Sequence, residues 1–97
     1  MAKYVFSYRV PSDYAPGAGT PAEWQAWFGG LGQALSDVGH AVTDYASLGE
    51  VGGSDSRMVA YSVVSAEDMD AALAPAKDCP ALRVGGGVEV GPAMETA

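Results

Sequence analysis

Residues 3–10 read KYVFSYRV, and the alternation in that stretch constrains the fold more than any other feature of the chain. Successive side chains of a β-strand point to opposite faces. Tyr4, Phe6 and Tyr8 therefore share one side, and Val5, Ser7 and Arg9 share the other. A row of aromatic rings on one face is stable only under a covering layer. The chain has 97 residues, enough for a single domain spanning 1–97. A domain of this size buries roughly 60–70% of the surface its unfolded form exposes.

The rest of the sequence carries the other elements. Pro11 ends the first strand, and the turn-rich segment 11–19 that follows has Tyr14 as its only large side chain. Thr20-Pro21-Ala22-Glu23 is a helix start: the threonine caps, the proline suits the first helical position, and the glutamate completes a capping box. Trp24, Trp27, Phe28, Leu31, Leu35 and Val38 then recur at helical spacing, with Gly39 placed as the C-terminal stop. The stretch 40–48 reads as a second strand, and Gly52-Gly53 as a turn. Residues 57–64, RMVAYSVV, are β-branched and aromatic and read as a third strand. The short link makes strands two and three an antiparallel hairpin. Ser65 caps a second helix whose inner stripe is Met69, Ala72, Leu73 and Ala76. Pro75 should end or kink that helix. Residues 87–90 form a fourth strand, and 93–97 read as a frayed tail. The order βαββαβ is α+β and predicts a ferredoxin-like plan: a four-stranded antiparallel sheet with two helices on one face. The second face is then left uncovered, which points to a homodimer.

Charge excludes several functions. Twelve acids against five bases give −7, and the bases are scattered, so nucleic acid and anionic membrane surfaces are not expected partners. No apolar run reaches the ~20 residues of a membrane helix. The N-terminus lacks the pattern of a signal peptide. Cys79 is the only cysteine, so no intrachain disulfide forms. A cytoplasmic setting is the expectation.

The KYVFSYR strand, the Trp-rich helix and the stretch AYSVVSAEDMDAALAPAKDCPALRVGGGVEVGP together resemble the YCII-related, or DGPF-domain, family. The likeness runs from Lys3 to about Pro92. Its most diagnostic part runs from Tyr61 to Pro92: a strand, a D-x-D-x-A helix, a K-x-C-P closure and a G-G-x-V-E-V strand. The resemblance implies a ferredoxin-like domain whose dimers form an α/β barrel. Some relatives carry a His/Asp pair proposed to be catalytic, and His40 and Asp44 are the candidates for it here. Where the family has its DGPF tetrapeptide, this chain has Gly52-Gly53-Ser54-Asp55-Ser56.

Three residues are candidates for chemistry. His40 is the only histidine, and its type titrates near neutrality. Asp44 lies on the same face of an extended segment, roughly 13 Å along it, and can orient His40 as a general base only where a bend or bulge brings the two together. The plainer role for His40 is an imidazolium complementing a helix C-terminus. Glu89 lies between Val88 and Val90. If the valines pack toward the helices, Glu89 points into the interior of a dimeric barrel, where desolvation raises a carboxyl pKa. Its plainer role is a solvated charge or a partner for Arg57 or Arg83. Tyr8, Tyr14, Trp24, Trp27, Tyr61 and Ser62 are candidate pocket-lining residues, and Cys79 reads as a buried structural thiol. No residue set matches a standard metal-ligand spacing, phosphate loop or nucleophile elbow, so no metal or cofactor is expected. Three functions compete: a cofactor-free small-molecule enzyme using acid/base catalysis, a non-catalytic metabolite- or partner-binding accessory protein, and haem or oxygen chemistry, which only the single histidine accommodates.

Overall fold

A computed structural model of the chain describes residues 1–11, 13, 21–42, 46–49 and 56–94. Tyr14, Asp44, the Thr20 cap and the Gly52-Gly53 turn lie outside the described residues.

Four strands and two helices follow one another as β1 (Ala2–Pro11), α1 (Pro21–Leu31), β2 (Leu35–Asp37), β3 (Ser56–Ala66), α2 (Met69–Ala76) and β4 (Gly87–Pro92). The strands form one open antiparallel sheet in the order β2-β3-β1-β4. β1 is central and carries the core. Tyr4, Phe6, Tyr8 and Val10 are buried, and Phe6 and Tyr8 are wholly inaccessible. Cross-strand partners share a face. Tyr4 opposes Val64 and Pro92, Phe6 opposes Ser62 and Val90, and Tyr8 opposes Ala60 and Val88. This is the face that both helices cover. Trp24, Trp27 and Phe28 of α1 set their rings around Tyr8 at centroid distances of 5.1–6.1 Å, while Ala72 and Ala76 of α2 are buried in the same cluster. The indole N–H of Trp27 donates to the Pro75 carbonyl at 3.0 Å and ties the two helices together.

A register shift between Tyr8 and Arg9 sets Arg9 opposite Met58 and leaves Val59 as the extra residue of a bulge. A bulge turns two consecutive residues toward one side, and both Val59 and Ala60 pack against the core.

Several boundaries differ from the sequence expectation. α1 ends at Leu31, well short of Val38, because Gly32 takes φ +56° and turns the chain into a 3-10 segment, Gly32–Ala34. The second strand accordingly begins at Leu35, ahead of the expected 40–48, and among the described residues of that span His40, Ala41 and Val42 run alongside β3. Leu35 packs on the core, whereas Val38 is exposed. At the second helix the cap is Asp68, whose carboxylate accepts from the Ala71 N–H at 2.8 Å. Ser65 belongs to β3, which runs to Ala66. Pro75 sits one residue before the end of α2, and the helix stops in the turn where the proline forfeits a hydrogen bond to the carbonyl four residues back. At the other end of the sheet, Ala93 donates to the Lys3 carbonyl and extends the ladder past Pro92.

Candidate functional site

The second sheet face carries no layer among the described residues, and it gathers the polar groups. Ser7 opposes Tyr61 on one side and Glu89 on the other, and Val5 opposes Val63 and Gly91. Tyr61, Ser7 and Glu89 thus form a row across β3, β1 and β4, with an apolar row of Val63 and Val5 beside it. His40 extends the polar row: its ring lies 5.9 Å from that of Tyr61, and its side chain is exposed.

Arg9 joins the strands across this face. Its Nε donates to Ser56 Oγ at 3.0 Å and its Nη2 to the Ser56 carbonyl at 3.1 Å. Its Nη1 lies 3.6 Å from Glu89 Oε1. The glutamate side chain remains 71% exposed, so this pair contributes little on its own. A shallow hollow of about 360 Å³ opens beside it, lined by Val5, Ser7, Glu89, Val90, Gly91 and Pro92. Gly91 contributes no side chain to fill it.

Val88 and Val90 do pack toward the helices, which sends Glu89 to the open face. Within one chain His40 and Glu89 are held apart, since Tyr61 and Glu89 are separated by two strand spacings, about 10 Å. Tyr61 belongs with His40. Tyr8, Trp24, Trp27 and Ser62 lie on the covered face. The Tyr8 hydroxyl is buried and has no hydrogen-bond partner among the described residues. Burial drives its phenol pKa well above the usual range. Burial likewise pushes the Cys79 thiol up, against the Ala81 N–H and the Arg83 charge. Cys79 is therefore a poor nucleophile packed in the core.

No family model matches the chain, and no curated protein or solved structure gives a significant match. The site therefore rests on its own geometry.

Arg9 and Ser7 were not singled out by sequence reasoning. Their only signal is their phase in 3–10, opposite the rings. A solvated strand face carries the same signal, so phase alone does not mark a site. Among the described residues no three His, Cys, Asp or Glu side chains cluster as metal ligands, and no helix is long and apolar enough to cross a membrane.

Proposed function

We propose that two copies of this chain pair through their open sheet faces and hold a small molecule between them, on which His40 and Glu89 perform a cofactor-free acid/base step. The observation carrying this reading is the open face itself. It bears Val5, which is 37% exposed, at the centre of the sheet, and it concentrates His40, Tyr61, Ser7, Arg9 and Glu89. An apolar row left in water at the middle of a sheet is a liability, and a second copy is the simplest cover. In this reading each copy is a ferredoxin-like unit and the pair is a dimeric α/β barrel. The element order and the strand order β2-β3-β1-β4 support that assignment. Membership of the YCII-related family, with Asp44 as the partner of His40 and a cytoplasmic setting, belongs to the same proposal.

Pairing would bring His40 of one copy and Glu89 of the other toward one enclosed space, which a single chain does not provide. Exclusion of water there would also strengthen the Arg9–Glu89 attraction. Sedimentation equilibrium is expected to give a dimer, and Val63→Glu, which plants a charge in the apolar row, a folded monomer. A wild-type monomer at all accessible concentrations would defeat the proposal. Denaturing the purified protein and identifying released small molecules by mass spectrometry would narrow the substrate class. With a substrate in hand, His40→Ala and Glu89→Gln should each lower kcat by about 10²–10⁴.

A second reading is a non-catalytic accessory protein that binds a metabolite or partner on the same face. One observation favours it: the Glu89 carboxylate already has Arg9 beside it, an arrangement suited to holding a polar ligand as much as to moving a proton. Retention of ligand with near-wild-type behaviour in both variants would select this reading.

A further inference from the structure

His40 is exposed, yet the backbone that carries it is fastened to β3 from several directions. Val38, two residues earlier, is 55% exposed, but its carbonyl accepts from the hydroxyl of Ser62 at 2.7 Å. Ser62 is wholly buried. The carbonyl of His40 itself accepts from the Tyr61 N–H at 3.2 Å. Val42 donates to the Val59 carbonyl at 2.7 Å. Gly39 donates its N–H to Asp37 Oδ1 at 2.9 Å. It adopts φ +74°, and a Cβ built on it would fall 1.8 Å from the Tyr61 carbonyl oxygen. Both its left-handed conformation and its contact with the strand therefore require a residue with no side chain.

Ordinary solvent-facing connections do not need this. A buried hydroxyl directed at the backbone of an exposed segment contributes more to the placement of that segment than to the core around it. What the segment presents is an imidazole against the ring of Tyr61, 5.9 Å away and tilted by 54°. We infer that Ser62 and Gly39 are positioning residues for His40, holding its imidazole over Tyr61 at the edge of the open face. Ser62 acts through the Val38 carbonyl, and Gly39 by letting the backbone lie on the Tyr61 carbonyl. The inference rests on the reading of His40 as a working group, but its geometry is measurable without any substrate.

The imidazole proton resonances of His40, the only histidine, report the Tyr61 ring current and are resolved in a one-dimensional NMR spectrum. Tyr61→Leu calibrates the signal by removing the ring. Ser62→Ala, a nearly volume-conserving change, is expected to move the His40 resonances toward the values in Tyr61→Leu. It should also speed hydrogen exchange at the Tyr61 amide by about fivefold to tenfold, as loss of one supporting hydrogen bond would, while the methyl resonances of Val64 stay in place. Gly39→Ala should displace the His40 resonances further. If it unfolds the chain, Ser62→Ala and a Ser62→Thr variant that restores the hydroxyl carry the test. Recovery of the wild-type His40 resonances in Ser62→Thr, with none in Ser62→Ala, supports the positioning role. His40 resonances and Tyr61 exchange unchanged in Ser62→Ala would overturn it. A catalytic failure of His40→Ala to matter would defeat the proposed function and leave this result standing.

Discussion

A methyl group added at Gly86 would lie 2.1 Å from the Arg9 carbonyl oxygen and 3.0 Å from both the Ala81 carbonyl oxygen and the Val10 Cα. The neighbours are backbone, so they cannot swing aside. Gly86→Ala should push the start of β4 away from β1 and destabilise the fold by about 1–3 kcal/mol, in the range of other overpacking changes. Gly87→Ala, with nothing within 4 Å of the new carbon, is the matched control, and urea denaturation of the pair measures the difference. At Tyr8 the argument runs the other way. Its buried hydroxyl has no partner among the described residues, so Tyr8→Phe removes a desolvated polar group and should leave the melting temperature equal to or above that of wild type. Both Tyr8 and Cys79 hold their protons more tightly when folded. Unfolded, they titrate near 10 and 8.5 respectively. Above those values the unfolded state gains by losing protons that the folded state keeps. Stability that is fully present below about pH 8.5 is therefore lost as pH rises, first through Cys79 and then through Tyr8, at up to about 1.4 kcal/mol per pH unit for each group. Denaturation midpoints between pH 8 and 10 should fall less steeply in Cys79→Ala than in wild type.

Among the elements, α2 depends on its cap. Asp68→Ala should cost about 1 kcal/mol, and Ser65→Ala distinctly less, because Ser65 lies in β3 facing Ser36 across the edge. Equal losses in a thermal melt would return the capping role to Ser65. Trp27→Phe keeps the ring packing on Phe6 and Tyr8 but deletes the bond to Pro75, a loss of about 1 kcal/mol. These elements also mark what could be read from residues alone. β1, β3 and β4 declared themselves by alternation and β-branching, and α2 by its acidic opening and its proline near the end. β2 did not, for a physical reason. Leu35 continues the spacing of Trp24, Trp27, Phe28 and Leu31, and nothing in the composition distinguishes Gly32, which breaks the helix at φ +56°, from Gly29 and Gly30, which lie within it. β3 outran its expected end because Ser65 and Ala66 pair with Lys3 and Ala2, a tertiary effect invisible to local preference. On the site, the outward direction of Glu89 followed from its valine neighbours. Its pairing with Arg9 did not, because that contact depends on strands β1 and β4 being adjacent.

For the molecule as a whole, self-association would bring together two bodies that each carry −7. Their repulsion is screened as salt rises: the Debye length is about 30 Å at 0.01 M and about 8 Å at 0.15 M. The dimer should therefore be tighter at the higher ionic strength, and sedimentation equilibrium at the two salts checks this. Weakening with salt would indicate an interface held by opposite charges instead. The central position of β1 has a consequence for how the chain is made. Its principal partner β3 pairs Ala2 with Ala66 and Pro11 with Ser56, so the middle of the sheet joins segments distant in sequence. Such topologies fold more slowly than helical bundles, whose contacts are local. Synthesis proceeds at about 5–20 residues per second, so β1 leaves the ribosome seconds before β3 exists to receive it. For that interval Tyr4, Phe6 and Tyr8 form a bare aromatic strand, and the nascent chain is at its most vulnerable to aggregation.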